Sequence, residues 1–213
     1  MSPASPAQCM DVTALVLAAG TSERLGQPKP LVDCGKESLI KLQVRRLFTL
    51  VHSVFVVTSA ELEQDVREAC TGTGAMVVVN PDPEAGRTGT VQIGIDRILS
   101  SDGAVSILIV PVDRPGWTAI TVARMLEHGP NCCPEKDGKG GHPLLIGPSE
   151  AVEILFAEAE IPLNRLVRTK RISVDDPHLH LNIDQPSDLE QIPQLLESLL
   201  PQERLSGQAD SSE

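Results

Sequence analysis

The sequence has no tyrosine, one tryptophan and three phenylalanines in 213 residues, so its core must be built from aliphatic side chains. Positive charge is also scarce, with 18 Lys and Arg against 29 Asp and Glu, a net charge of -11. That balance excludes nonspecific binding to a nucleic-acid backbone, which needs clustered cations to displace counterions. Any phosphate ligand must therefore be met by a local pocket. No apolar run comes near the roughly 20 residues that cross a bilayer; "SILIVPV" is among the longest. The opening "MSPASPAQCMDV" lacks the basic and apolar zones of a signal peptide, so the expected location is the cytoplasm, with no membrane partner. Cys9, Cys34, Cys70, Cys132 and Cys133 form an odd set without CxxC spacing, which reads as reduced thiols. A zinc site on Cys132, Cys133 and His142 would lack a second ligand pair at a suitable spacing.

The length fits one domain, expected over residues 12–201. The ends, 1–11 and 202–213, are rich in Ser, Pro, Gln and acidic groups and are expected to be flexible. Between them, apolar β-branched runs alternate with helical patterns. "TALVL" (13–17), "SVFVVTS" (53–59), "AMVVVN" (75–80) and "SILIVPV" (106–112) are apolar nearly throughout, as parallel strands covered on both faces are. "SLIKLQVRRLFTL", "ELEQDVREAC" and "TVQIGIDRILSS" read as helices, the last with Val91, Ile95, Ile98 and Leu99 on one face. The order predicts an α/β fold, a three-layer αβα arrangement around a Rossmann-like, mostly parallel sheet.

After residue 130 the pattern loosens. "GHPLLIGP" and the extended runs "RISVDD" and "HLHLNI" predict an antiparallel edge, with a short helix near "SEAVEILFAEA" and a Pro-bounded piece "IPLNRLVR". In the last helix Ser187 and Glu190 have capping-box spacing, and Leu189, Ile192, Leu195, Leu196 and Leu199 form the buried face. Asp184 is thereby placed at a strand end.

The chemistry concentrates in "LAAGTSERLGQPK", residues 17–29, directly after the first predicted strand. In an open parallel sheet, ligands bind beyond the carboxyl ends of the strands, and this loop is a common phosphate site. Ala18, Ala19 and Gly20 would let a polyphosphate approach the backbone, where successive N–H groups form an anion-binding nest. Thr21 and Ser22 add donors. Arg24 offers a planar fork for two phosphate oxygens, and Lys29, placed by Pro28, a mobile point charge. A tight turn with two solvated cations is the plainer reading. Two cations and two hydroxyls converging in an acidic chain favour the phosphate site. The stretch is neither GxxxxGK[ST] nor GxGxxG, which argues against a P-loop NTPase and a dinucleotide-binding dehydrogenase.

This stretch resembles the LAAGxSxRxGxxK signature of nucleotidyltransferases related to the molybdenum cofactor cytidylyltransferases, which have a glycosyltransferase-A-like fold. The likeness continues in order. "NPDPEAGRTGTVQIGI" is similar to N(x)5G(x)3S(x)3G, carried by Asn80, Gly86, Thr90 and Gly94. "LIVPVDRP" resembles LxxxxDxP, "GHPLLI" resembles GHPxLx, and "LNIDQPSDL" resembles xxDxDTPEDL. The resemblance implies transfer of a nucleotidyl group from an NTP to a phosphorylated small-molecule or pterin-type cofactor acceptor, with release of pyrophosphate. Arg24 and Lys29 would be catalytic. Leu17 to Ser22, Asn80, Gly86 and Thr90 would bind the nucleotide, and His142 the acceptor. Ala19, where related guanylyltransferases carry Gly, favours CTP by resemblance.

Asp113 and Asp184, each predicted at a strand end, supply two hard oxygen ligands suited to Mg²⁺, and the resemblance implies that both bind it. Taken singly, Asp113 fits a cap for a helix near Thr118 equally well, and Asp184 a turn residue. Asp11, Asp33, Asp82, Asp137, Asp175 and Asp176 read as solvated loop charges. Arg165 and Arg168 could pair with an acceptor anion or lie on a solvated helix face. Two departures fall in the acceptor half: Asp113-Arg114-Pro115 where DQP is usual, and "AEAEIPLNRLVR" where a GDxGxR-like segment is usual. They leave open a sugar-phosphate or isoprenoid-phosphate nucleotidyltransferase, or a noncatalytic nucleotide sensor.

Overall fold

The apolar runs form the centre of the fold because both of their faces are covered. The computed structural model describes residues 12–206. β1 (Val12–Ala18), β2 (Ser53–Ser59), β3 (Met76–Asn80) and β4 (Ser106–Pro111) lie parallel in the order β3-β2-β1-β4. Alternate residues of each strand enter different cores. Ala14, Val16, Val54, Val56, Leu108 and Val110 face one side, with α1 (Leu39–Phe48), α2 (Glu63–Ala69), α4 (Ala119–His128) and α7 (Ile192–Ser206). Leu15, Leu17, Phe55, Val57, Ile107 and Ile109 face the other, with α3 (Gly86–Asp102), α5 (Pro148–Leu155) and α6 (Leu163–Leu166). This is the expected three-layer αβα architecture. Each fully buried side chain of this kind stabilises the fold by roughly 1.5–3 kcal/mol relative to exposure. The parallel register sets Ala18 beside Thr58 and Leu17 beside Pro111, so the strands end along one rim.

Beyond β4 the sheet turns antiparallel. β7 (Leu144–Ile146) pairs with β4, β5 (Cys132–Lys136) with β7, and β6 (Lys139–Gly140) closes a hairpin on β5. β8 (Lys170–Ser173), from the "RISVDD" run, departs from the expected antiparallel edge and lies parallel to β5. The chain reaches it through α5 and α6, and a helical crossover delivers parallel pairing where a hairpin cannot. Cys34, Cys70, Cys132 and Cys133 are buried free thiols.

Three further expectations are corrected. "HLHLNI" is a turn followed by irregular chain, with no strand ladder; Leu179, Leu181 and Ile183 still alternate inward, so core contact alone produces its period of two. The capping box is formed by Gln185 and Asp188 rather than Ser187 and Glu190, because the chain turns two residues earlier into a 3₁₀ segment, Pro186–Gln191, ahead of α7. Asp176 is buried, accepting from the Thr118 backbone N–H at 2.9 Å and the Thr118 hydroxyl at 2.7 Å. Thr118 itself caps α4, accepting from the Thr121 N–H, so Asp113 is not that cap. Of the expected flexible ends, 1–11 and 207–213 lie outside the described residues, and the backbone is helical through Ser206.

These links clamp the loop after β4 onto the segment before α7. Ile183 N–H donates to the Asp113 carbonyl at 2.9 Å, and at Gly116 a Cβ would fall 1.7 Å from the His178 carbonyl oxygen. Only glycine allows that approach. Gly116→Ala is expected to destabilise the protein by about 1–3 kcal/mol or more, as overpacking a fixed contact does. Urea denaturation checks this, and an unchanged midpoint contradicts it.

Candidate active site

The loop after β1 is stitched to itself before any ligand enters. Ser22, at φ 58°, accepts from the Lys29 backbone N–H through its hydroxyl at 3.1 Å, and its carbonyl accepts from the N–H groups of Leu25 and Gly26. The Ser22 hydroxyl thus holds the loop closed at its base. The loop borders two hollows. One, of about 180 Å³, is lined by Leu17, Ala18, Ala19, Gly20, Ser22, Lys29, Gly86, Arg87, Thr90 and Asp113, among others. The other, of about 480 Å³, is lined by Thr21 and Asn80 and shares Ala19, Gly20 and Ser22 with the first. Asn80 and Thr90 also brace one another: Asn80 Nδ2 donates to Thr90 Oγ1 at 3.1 Å, tying the end of β3 to α3.

Asp113 and Asp184 meet at a single cation. Lys29 Nζ donates to Asp184 Oδ1 at 2.8 Å and to Asp113 Oδ2 at 3.2 Å. Arg24 Nη1 lies 2.7 Å from Asp184 Oδ2. The two cations differ in kind. The Lys29 side chain is 14% exposed and fixed, whereas that of Arg24 is 80% exposed, where an ion pair contributes little and can exchange partners. The Lys29 hydrogen bond holds the Asp184 carboxyl below the usual carboxylate range, helped by the charges of Lys29, Arg24 and Arg114 and opposed by partial burial. Asp188 steadies this residue from behind, its Oδ2 accepting from the N–H groups of Asp184 at 2.9 Å and Gln185 at 2.8 Å.

Two hard carboxylates already directed at one positive charge fit a divalent cation such as Mg²⁺. Among the described residues no group of three or more His, Cys, Asp or Glu could hold a metal ion. An ion on this pair would take its remaining oxygens from phosphate and water, the usual Mg²⁺ arrangement.

Sequence reading missed the supports of the Asp113 loop. Gln43 Nε2 donates to the Val112 carbonyl at 2.6 Å, and Trp117 Nε1 donates to Gln43 Oε1 at 3.2 Å. Arg46 donates to the carbonyls of Pro115, at 3.0 Å, and Trp117, and its guanidinium lies 3.7 Å from the centroid of the Trp117 ring. Both α1 side chains are buried, so they satisfy the carbonyls of an irregular loop that has no ladder of its own. Their spacing of three on a largely apolar helix was the available signal.

His142 sits across the rim, in a cleft of about 820 Å³ lined also by Gly86, Arg87, Thr88, Leu144, Leu163 and Asn164. Burial, with the charges of Arg87 and Arg114, pushes its imidazole down to about 4 against the opposing pull of Asp113. It is neutral at pH 7, and its buried Nδ1 has no hydrogen-bond partner among the described residues. Neither Arg165 nor Arg168 lines this cleft, although Asn164, next to Arg165 in α6, does.

Residues 14–174 match the MobA-like NTP transferase domain. The chain belongs to this family. It is therefore a nucleotidyltransferase. No curated protein matches the sequence. Among solved structures, the Rv0371c homolog of Mycobacterium sp. strain JC1 is 23% identical with a TM-score of 0.74, over 88% of this chain and 98% of that one. A nucleotidyl transferase from Methanothermobacter is 23% identical with a TM-score of 0.71, over 88% and 98%. Rv0371c of Mycobacterium tuberculosis, solved in complex with manganese, is 20% identical with a TM-score of 0.70, over 89% and 100%. In this NTP transferase, as in the family, binding is of an NTP and a small acceptor.

The protonation of His142 sets a pH window. An unfolded histidine takes up a proton near pH 6.5 and the folded one only near 4, so stability present above 6.5 falls as pH drops through that interval. His142→Gln is expected to flatten the decline in the denaturation midpoint between pH 6.5 and 4. Identical profiles for the two proteins contradict it. Asp184, with its depressed carboxyl, acts only at lower pH, below about 3.9.

Proposed function

We propose that this NTP transferase moves CMP from CTP to a phosphorylated small acceptor, using Mg²⁺ held by Asp113 and Asp184. The observation that carries the reading is the convergence of Asp113 and Asp184 on Lys29, which together with Asp113 lines the hollow beside residues 17–20 and Ser22. The backbone and donors of Leu17, Ala18, Ala19, Gly20, Thr21 and Ser22 receive the triphosphate. Asn80, Gly86 and Thr90 border the base and ribose. His142, neutral and with an unpaired ring nitrogen, offers the acceptor a hydrogen bond.

In the reaction an acceptor phosphate oxygen attacks the α-phosphorus in line. The new P–O–P bond forms as the bond to the β-phosphate oxygen breaks, and pyrophosphate leaves with the electron pair. A bound divalent ion supplies charge neutralisation and alignment of the phosphate oxygens. Asp113 and Asp184 would hold that ion; Lys29 offers its ammonium to the α-phosphate, and the exposed Arg24 closes on the leaving group. No covalent intermediate is needed, because positioning and charge stabilisation dominate such transfers. Soluble reactants fit a chain in which, among the described residues, no helix is long and apolar enough to cross a membrane; the cytoplasm is the proposed location.

Thermal shift with CTP, GTP, UTP and ATP, each with and without Mg²⁺, tests the reading. CTP with Mg²⁺ is expected to raise the melting temperature most, since a ligand of the folded state stabilises it by mass action. Lys29→Ala is expected to lower pyrophosphate release on the order of 100-fold, the scale of losing one preorganised electrostatic donor, without unfolding the protein. Asp113→Asn is expected to shift the Mg²⁺ titration to higher concentration. Equal shifts with all four nucleotides, unaltered turnover without Lys29, or an unchanged metal titration each contradict the corresponding part.

A further inference from the structure

Arg87 is the charged residue at the junction between the nucleotide hollow and the acceptor cleft. Of the residues lining the two, only Gly86 and Arg87 belong to both. Gly86, at φ 90°, turns the chain sharply into α3, and a Cβ there would meet nothing within 4 Å, so backbone conformation rather than packing selects glycine. The turn delivers Arg87 in the first turn of the helix, exposed to both spaces. Its guanidinium makes no hydrogen bond or ion pair with any described residue, unlike Arg24, Arg45, Arg46, Arg67 and Arg171. Its charge nevertheless acts across the cleft on His142.

We propose that Arg87 grips the attacking phosphate of the acceptor and holds it against the nucleotide, as a specificity-determining residue of the acceptor site. This rests on the functional reading above. In-line transfer requires the acceptor phosphate to stand where the two spaces meet. A planar guanidinium holds two oxygens of a phosphomonoester and leaves the third to attack. Arg24 and Lys29 are already assigned to the leaving group and the α-phosphate, and Arg114 donates to the His180 carbonyl at 3.4 Å, which leaves Arg87 for this partner. The neutral His142 adds a hydrogen bond without competing for the charge.

The test titrates phenyl phosphate, a generic phosphomonoester, into the full-length protein by isothermal calorimetry, with and without saturating CTP and Mg²⁺. CTP is titrated separately. Arg87→Ala is expected to weaken phenyl phosphate binding by about tenfold or more, as the loss of a charge-assisted pair does, while CTP affinity stays within about twofold. Arg87→Lys, keeping the charge without the fork, should fall between. Unchanged phenyl phosphate binding in Arg87→Ala, no binding to the wild-type protein, or an equal loss of CTP affinity would overturn the assignment. Failure of the wild-type protein to bind CTP would instead count against the functional reading, and the phenyl phosphate titration run without nucleotide would still decide Arg87.

Discussion

The site is organised by one ammonium group shared between two carboxylates. Asp113 and Asp184 come from distant parts of the chain, and two carboxylates brought together without a cation repel one another. Lys29 removes that repulsion by donating to both, and the depressed titration of Asp184 is its electrostatic signature. The same arrangement selects what can replace it. A group that displaces the lysine must itself be a compact cation, and the lysine so displaced has phosphate as its natural partner.

The surrounding structure serves to make that junction possible. The parallel strands end on a common rim, which carries the loop after β1 and the loop after β4 to the same place. The second loop has no ladder, so Gln43, Arg46 and Trp117 satisfy its carbonyls from beneath. The segment leading to Asp184 is equally irregular. It is fastened through Ile183 to Asp113, through Asp176 to Thr118, and by the bare backbone of Gly116 beneath His178. Asp188 then fixes the last peptide. Two carboxylates on irregular chain are thus held by buried polar contacts rather than by a helix or strand.

Local pattern carried much of this into the sequence. The four parallel strands are apolar on both faces, a signal that does not depend on distant residues, and they fall within a residue of their predicted limits. The stretch from Leu17 to Lys29 was legible because small residues, hydroxyls and cations so seldom share one turn. The convergence of Asp113 and Asp184 could only be inferred from their places at the ends of apolar runs. What stayed hidden depends on tertiary contact. Asp176 looks like any loop charge until Thr118 is seen above it, and Gln43 and Arg46 look like the solvated side of α1 until the loop after β4 covers them. "HLHLNI" has the alternation of a strand because its leucines face the core, yet hydrogen bonding to a neighbour strand is a separate condition that it does not meet. Arg87 carries no local pattern at all; its place between two hollows exists only in the fold.

The central claim, that the two carboxylates form one cation site facing the nucleotide, is tested most directly by locating the metal. Crystals of the protein grown with Mn²⁺ and a nonhydrolysable CTP analogue would give an anomalous difference map. The account predicts a single strong peak coordinated by both Asp113 and Asp184, with Lys29 Nζ turned away from them to the phosphates. Manganese bound away from this pair, with Lys29 still bridging the two carboxylates beside a bound nucleotide, would contradict it.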